Sequence, residues 1–473
     1  MKRIPSALAL AVALAGCDLA PHYVRPVGAV PAALPQGGVY SAAATDARDI
    51  TQVGWRDFFL DERLRAVIAQ GLDGNQDLAL AAANVLRARA LYRVQRADLV
   101  PTVGANASAT YSNNPLAGAG GTAGGAGAGS TDFQYFTATA GVSAFELDLF
   151  GRVRNLSKAA LEQYLATEEA RRATRISLVA EIADAWLTIA SDEDQLRLSQ
   201  ATLATFADTL RLTTAQFRIG VASELEARQA ETNYQAARND IAVLRTRIAQ
   251  DRNALDLLVG RPVEPALLPT ALGDARASLD ALPTDLSSDV LLRRPDVLDA
   301  EHQLIAQNAN IGAARAAFFP RISLTAAVGT ISTALSGLFG GGSFTYDAGP
   351  AATLPLFDGG RNRGNLAYAR ASRDAAVATY KRTVQIAFRE AADALAERGA
   401  IDERIAAQTA RANAADVAAK LSDARYRAGV DSFLVSLDAQ RTAYAARQQL
   451  ATTRLARGSN LVALYRALGG GLN

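Results

Sequence analysis

The chain contains one long unit twice, and each copy pairs two short segments of alternating polarity with a long helical hairpin. Matching landmarks stand 209 residues apart: Arg152 and Arg361, Gly220 and Gly429, Gly260 and Gly469. Upstream, Leu86 to Pro101 aligns with Ile305 to Pro320 at a spacing of 219. Because an internal repeat fixes the architecture before any local motif does, we expect a tandem fold with two equivalent halves.

The repeat predicts the domain organisation. The expected order is a signal peptide (1–16), a lipid-anchored extended tether (17–51), a first repeat (52–260), a linker (261–288) and a second repeat (289–473). Each repeat is expected to hold a helix, a strand pair and a long helical hairpin, with the strand pairs at about 102–147 and 321–356.

The first residues predict export and lipidation. Met1-Lys2-Arg3 precedes an apolar run that ends in Leu14-Ala15-Gly16-Cys17, which is the pattern of a signal peptide with a lipobox. Cys17 is the single cysteine, so an internal disulfide is excluded. We expect Cys17 to become the lipidated, palmitate-bearing N-terminus. Asp18 at the next position marks inner-membrane retention in some bacteria, but the strands described below favour the outer membrane.

Composition argues against several function classes. The 49 basic and 47 acidic residues balance, which indicates no nucleic-acid partner. The chain has two histidines, His22 and His302, so we expect neither a histidine-based metal site nor a catalytic triad. We expect a packing or surface role for His302. The sequence has no phosphate loop or cofactor motif, so we predict neither enzyme activity nor a cofactor or metal. After Cys17 no run of about 20 apolar residues occurs, so strands would make any membrane crossing.

Alternation with a period of two defines four strands. In the first, Val103, Ala105, Ala107, Ala109 and Tyr111 alternate with Thr102, Gly104, Asn106, Ser108 and Thr110. The return strand has Thr137, Thr139 and Ser143 as its polar set, and in the second repeat Ile322, Leu324, Ala326 and Val328 alternate with Ser323, Thr325 and Ala327. Glycine-rich loops join each pair, and aromatic residues near the loops fit a girdle at a membrane surface: Tyr111, Tyr135, Phe136, Phe344 and Tyr346.

Four strands cannot close a barrel, and lipid does not tolerate an open sheet edge. Several chains must therefore contribute. Single-chain barrels begin at about 8 strands, so a dimer is the minimum, and a trimer with about 12 strands gives an open lumen.

The helical hairpins show coiled-coil spacing. Between Asn155 and Gln216 there is no proline or glycine, a length of about 90 Å at 1.5 Å per residue. Apolar residues recur every seven positions in two helices: Ile182, Ile189, Leu196, Leu203, Leu210 and Phe217, then Tyr234, Ile241, Ile248 and Leu255. Hairpins of this length are expected to pack side by side around an axis.

Several distinctive motifs occur along the chain: Ala20-Pro21-His22-Tyr23-Val24-Arg25-Pro26, Leu292-Arg293-Arg294-Pro295-Asp296, Ile311-Gly312-Ala313-Ala314-Arg315, Phe319-Pro320 and Pro355-Leu356-Phe357-Asp358-Gly359-Gly360-Arg361. With these motifs the sequence resembles the outer-membrane efflux protein family, the TolC-like tunnels, in its lipoprotein branch. The resemblance implies a mainly α fold with a small β part, in which a homotrimer forms a 12-stranded barrel in the outer membrane and a helical tube in the periplasm. It also implies a periplasmic adaptor and an inner-membrane transporter, usually proton-driven and of the RND type, that exports drugs or other small toxic compounds.

The resemblance further implies a gate at the periplasmic end. Leu437-Asp438-Ala439-Gln440-Arg441 matches the family's acidic ring, which makes Asp438 the candidate. Tyr426 matches a tyrosine that ties the inner hairpin to an acidic residue of the neighbouring hairpin, here Glu226. Where some relatives have a second acidic residue, this chain has Val435. Where some relatives have a basic residue that reinforces the tie, this chain has Asp431.

Each of these residues has a plainer interpretation. Asp438 could be a solvated helix residue, Glu226 follows Ser223 at capping-box spacing, and Gly220 and Gly429 could simply end helices in the left-handed conformation. An exposed tip that an adaptor contacts is compatible with these roles. The expected adaptor contacts are Gly220, Ser223, Gly429 and Ser432.

Two other functions stay open from the sequence. One is an outer-membrane tunnel for protein secretion, served by an ATP-driven exporter. The other is a periplasmic coiled-coil scaffold without a pore, against which the alternating strand pairs argue.

Overall fold

The computed structural model describes residues 18–40, 53–113, 132–272 and 287–470. The signal peptide, Cys17 and the loop between the first two strands lie outside these ranges. The helices are α1 (Trp55–Phe58), α2 (Glu62–Gly74), α3 (Gln76–Ala97), α4 (Arg152–Arg218), α5 (Glu224–Val259), α6 (Pro295–Ala316), α7 (Arg361–Arg427) and α8 (Phe433–Ala467). The strands are β1 (Val103–Asn113), β2 (Asp132–Leu147), β3 (Arg321–Ser332) and β4 (Phe344–Thr353), and short 3₁₀ turns lie at Pro265–Leu267, Ser288–Arg293 and Leu335–Gly337.

The predicted repeat is confirmed element by element. Helices α4 and α7 have 67 residues each, and α3 and α6 have 22 each. Helix α3 stops at Ala97, a few residues before Pro101, because proline lacks the N–H and restricts the residue before it. Within the described ranges, no helix is both long enough and apolar enough to span a membrane.

The chain forms two compact units, and each draws on both repeats. Among the described residues, the first unit contains 18–25, 86–113, 132–166 and 301–378. The second contains 26–40, 53–85, 167–272, 287–300 and 379–470. Equivalent parts of the two repeats therefore fold together.

The first unit holds one antiparallel sheet of four strands in the order β1-β2-β3-β4. Strands β2 and β3 come from different repeats and pair along most of their length. Strands β1 and β4 are the two edges, so each has one side with no strand partner among the described residues. An edge of this kind leaves a row of backbone donors and acceptors open.

The register separates the sheet into an apolar and a mainly polar face, as the alternation predicts. Rows on the apolar face join Val103, Val142, Ala326 and Ala348, and then Ala105, Ala140, Val328 and Tyr346. A row on the other face joins Asn106, Thr139, Gly329 and Thr345. Large side chains on the apolar face are exposed, with Val103 at 71% and Tyr346 at 74%. An exposed apolar face of this kind is unfavourable in water.

Two details shape the sheet. Strand β2 carries a bulge between Val142 and Phe145, where Ala144 has a φ of 52° and its N–H donates to the Thr325 hydroxyl at 3.1 Å. The predicted polar residue Ser143 lies in this bulge and has no partner in the β2–β3 register. A Cβ at Gly141 would overlap the carbonyl of Ala326, so only glycine permits this close approach.

The extended segment after Asp18 is fixed rather than free in the first unit. Arg25 donates to both carboxylate oxygens of Glu301 on α6, at 2.8 and 2.7 Å, and the Tyr23 hydroxyl donates to the same group at 2.9 Å. The side chains of Asn308 and Arg315 donate to the backbone carbonyls of Pro21 and Leu19. Residues of the motif between Ala20 and Pro26 therefore hold the N-terminal segment against α6.

The second unit has its own aromatic core. The Phe58 and Tyr465 rings stack with centroids 4.3 Å apart, and Phe59 meets Phe58 edge to face at 4.9 Å. Arg294 lies beside this core with 7% exposure and donates to Asp296, Glu390 and the Ala467 carbonyl at 2.8 Å each. Arg294, from the motif Leu292 to Asp296, is therefore a buried residue that links α6 to α7 and α8.

The heptad seams of α4 and α5 face inward. Ile182 and Ile189 on α4 and Leu255 on α5 are fully buried, and Ile241 and Ile248 are nearly so. Burial falls toward the far end of α4, where Phe217 is 42% exposed. Most of the apolar stabilisation of this hairpin therefore lies away from its tip.

An acidic residue interrupts this packing. The Asp192 side chain on α4 is 4% exposed, and the nearest cation is the Arg247 guanidinium, with Nε 3.8 Å from Oδ2. Burial raises the pKa of Asp192 to about 6, with the charge of Arg247 opposing the rise and the neighbouring Asp251 adding to it. The carboxyl is thus easier to keep protonated in the folded chain than in the unfolded one.

We expect Asp192→Asn to stabilise the protein at pH 7.5 and to have little effect at pH 4. The pKa of Asp192 in the folded chain lies above its ordinary value, so the free energy of unfolding falls as the pH rises from about 4 through 6. Above pH 6 the carboxylate is ionised, and its full destabilising effect is present. A rise in pKa of this size corresponds to a free-energy cost of about 1–3 kcal/mol for the ionised carboxylate. The measurement is the midpoint of thermal unfolding in detergent across this pH range.

Asp208→Asn is the matched control, because Asp208 lies on the same helix with its side chain 71% exposed. It should change the midpoint little at either pH. An equal gain from Asp192→Asn at pH 4 and pH 7.5 would contradict the buried, raised-pKa assignment.

Candidate gate at the hairpin tips

Both hairpins end in the same turn. Gly220 has a φ of 78° and Gly429 one of 74°, so each adopts the left-handed conformation expected from the sequence. At the first tip the N–H of Gly220 donates to the carbonyl of Phe217 and that of Val221 to Gln216, and the second tip repeats both bonds. This is the Schellman pattern, which ends the long helix and turns the chain into the return helix.

The start of α5 is capped by the predicted capping box. The Glu226 N–H donates to the Ser223 hydroxyl at 3.3 Å, and the Ser223 N–H donates to the Glu226 carboxylate at 2.9 Å. At the start of α8, Ser432 is the equivalent residue, but its side chain accepts no capping hydrogen bond. The plainer interpretation of Glu226 is therefore confirmed, and this helix start is the better fixed of the two.

Tyr426 bonds to a different partner from the one that the sequence suggests. Its hydroxyl donates to Gln216 Oε1 at 2.7 Å, and Glu226 acts on it only through its nearby charge. Burial, and then that charge, raise the pKa of Tyr426. The ring packs against Phe433 at 5.5 Å, beside buried Ala230 and Leu437. Tyr426 thus ties α7 to the end of α4 within one chain.

Asp431 forms an ion pair that sequence reasoning missed. Its carboxylate accepts from Arg425 at 2.6 and 2.8 Å, across the turn between α7 and α8. The only signal in the sequence was an arginine and an aspartate on either side of a glycine turn. Asp431 is therefore already paired with a residue of its own tip.

Asp438 lies on an open groove between α7 and α8. The groove has a volume of about 580 Å³ and is lined by small or apolar side chains that include Ala415, Ala418, Val435 and Thr442. Asp438 is exposed, and it has no hydrogen bond or ion pair with any residue that the structure describes. A carboxylate with no partner among the described residues, on a groove of small side chains, is available for contact with another chain.

A second polar tie lies on the same helices and was also missed. The Tyr444 hydroxyl donates to Asp240 at 2.9 Å and lies 2.8 Å from the Ser199 hydroxyl, so it joins α8 to both α4 and α5. Burial raises the pKa of Tyr444 to about 12. Nothing in the local sequence of Tyr444 points to this contact, because its partners are more than 200 positions away.

His302 has the packing role expected from the sequence. Its Nδ1 lies 2.7 Å from Glu162 Oε2 within the first unit, and both side chains are largely covered. Asp18 is similarly engaged, since its carboxylate accepts from the Ala20 N–H and from the Asn155 side chain, each at 2.9 Å.

Comparison with known proteins identifies the family. The chain matches the outer membrane efflux protein model twice, over residues 67–261 and 286–470. It is 43% identical to the toluene efflux pump outer membrane protein TtgC of Pseudomonas putida, over 98% of this chain and 96% of the relative. It is 42% identical to the outer membrane protein OprJ of Pseudomonas aeruginosa, over 98% and 95%.

Solved structures agree with these relatives. The open state of the MtrE outer membrane channel of Neisseria gonorrhoeae superposes with a TM-score of 0.82 at 36% identity, over 97% of this chain and 99% of that chain. The TolC-like fold and the tandem organisation expected from the sequence are thereby confirmed. With two matches to one model and relatives along its whole length, the chain belongs to the outer membrane efflux protein family.

Proposed function

We propose that this protein is the outer-membrane channel of a tripartite efflux pump, a passive conduit through which small toxic compounds leave the cell. The relative named for toluene efflux supports this substrate class. The energy for transport would come from a partner. That partner is proposed to be an RND-type inner-membrane transporter joined to the channel by a periplasmic adaptor.

The observation that carries the proposal is the sheet. Its apolar face exposes large side chains, and its edge strands β1 and β4 have no strand partner among the described residues. Each unpaired backbone group would cost several kcal/mol in lipid. Pairing β4 of one copy with β1 of the next satisfies them, and three copies give a barrel of about 12 strands.

The tips suit docking to another protein. Large apolar side chains are exposed there: Ile219 at 75%, Val221 at 69%, Val430 at 63% and Leu434 at 60%. Exposed apolar groups in one place mark interaction sites. These exposed side chains lie in and beside the two turns that contain Gly220, Ser223, Gly429 and Ser432. Their exposure supports the proposed contact with an adaptor.

Asp438 is the proposed gate residue. In a trimer with α7 and α8 toward the axis, three Asp438 carboxylates would come together on grooves of small residues. Like charges in one narrow site repel one another and attract cations. Tyr426 and Glu226 would then act indirectly, by fixing the tip that carries Asp438.

In planar bilayers the purified protein is expected to form channels that divalent cations block from the periplasmic side. Asp438→Asn should weaken this block by roughly tenfold or more, because removing the carboxylates removes the attraction for the cation. The readout is the single-channel conductance as a function of divalent concentration.

Glu403→Gln is the matched control, since Glu403 is an exposed acid on α7 away from the Asp438 groove. It should leave the block unchanged. Absence of channels would refute the conduit and favour a scaffold, whereas equal block in Asp438→Asn and the parent would place the gate elsewhere.

Lipid anchoring at Cys17 is part of the proposal. Because the strands and helices lie far downstream of Cys17, Cys17→Ser should abolish incorporation of labelled fatty acid and leave assembly intact. Ala33→Ser, a distant change in the same extended segment, should label like the parent. Unchanged labelling of Cys17→Ser would exclude this residue as the lipid attachment site.

A further inference from the structure

The second unit contains a cavity that the conduit does not use. Its volume is about 450 Å³, within the range of small-molecule sites. Trp55 and Tyr465 line it, and both are nearly fully buried. Ile176, Val179 and Leu298 add further apolar surface.

Three arginines surround this apolar floor. Arg172 and Arg175 come from α4, and Arg293 comes from the turn before α6. One carboxylate, Glu169, lines the same cavity, and it accepts from Arg172 at 2.7 Å. The cavity wall therefore has more positive than negative charge.

Two of the arginines have no anionic partner among the residues that the structure describes. Neither Arg175 nor Arg293 has a hydrogen bond or an ion pair with any residue in the described ranges. Both residues are exposed, and two guanidinium groups on the wall of one cavity offer charged donors to an anion that enters it.

The indole of Trp55 provides an independent observation. Trp55 is 6% exposed, and its Nε1 is a buried donor for which the described structure contains no acceptor. Such groups in natural proteins call for an explanation. The Nε1 atom has almost no accessible surface, so the indole forms part of the cavity floor and its N–H is not itself open to a ligand.

We propose that this cavity binds an amphiphilic organic anion. The phosphate or carboxylate head would accept from Arg175 and Arg293, and the apolar body would lie against Trp55, Ile176 and Leu298. The head could belong to a lipid or to a free solute, because the recognition chemistry is the same for both.

The chain has two tryptophans, which makes the test direct. Trp186→Phe leaves Trp55 as the single fluorescent reporter in the full-length protein, purified in a neutral detergent. Octyl phosphate is the probe, octanol is the neutral control, and inorganic phosphate is the competitor. We expect a saturable change in Trp55 emission with octyl phosphate, no saturable change with octanol, and displacement by inorganic phosphate.

Replacing both Arg175 and Arg293 should weaken binding. In the Trp186→Phe background, Arg175→Gln with Arg293→Gln should raise the Kd for octyl phosphate by about tenfold or more, because two charged donors are lost. Arg245→Gln is the matched control, an exposed α5 arginine outside the cavity, and should leave the Kd unchanged. Equal binding by the double variant and the control would overturn the proposal, as would a saturable response to octanol.

Two further arms complete the design. Loss of bound anionic phospholipid from the double variant, measured in extracts of the purified protein, would identify a lipid headgroup, and unchanged lipid with weakened octyl phosphate binding would identify a free solute. If the double variant fails to fold, the single Arg293→Gln variant and the phosphate competition decide the matter. Failure of phosphate to displace the probe would then contradict the proposal.

Discussion

Unpaired backbone at the two edges of the sheet is the constraint on which the proposed assembly depends. A single chain supplies strands in the order β1-β2-β3-β4, with an exposed apolar face and no partner for either edge among the described residues. Water could form hydrogen bonds with the edge strands but would not stabilise the exposed apolar face. Lipid would stabilise the apolar face but would leave the backbone groups of the edge strands without hydrogen bonds. Only pairing between copies satisfies both, so the proposed membrane function and the oligomeric state are one requirement.

The tips show how little holds the proposed gate within one chain. Tyr426 contributes one hydrogen bond to Gln216, and Asp431 is occupied by Arg425 across its own turn. The buried seam lies farther along α4 and α5, at Ile182, Ile189 and Leu255. A single hydrogen bond contributes on the order of 1 kcal/mol, so a change at the tip need not disturb the packing of the hairpin.

Features of short range or strong periodicity could be predicted from the sequence. The paired 67-residue helices, the sheet faces, the left-handed Gly220 and Gly429 and the capping box at Ser223 all follow from local chemistry. The partners of Tyr426 and Tyr444 could not be predicted, because the choice among polar groups more than 200 residues away depends on how the hairpins pack. The same holds for the N-terminal segment, whose composition suggests a tether although Arg25 is bound by Glu301.

The central claim is that β1 of one chain pairs with β4 of another in a closed ring of three, and disulfide trapping tests it most directly. Cys17 is the single native cysteine, so Cys17→Ser gives a clean background for one new cysteine in β1 at Ala107 and one in β4 at Ala348 or Ala352. Oxidation in the membrane should give covalent dimers and trimers that are stable in denaturant, and each single-cysteine variant should stay monomeric. Monomers from every pair, or covalent species that stop at two chains, would contradict the account.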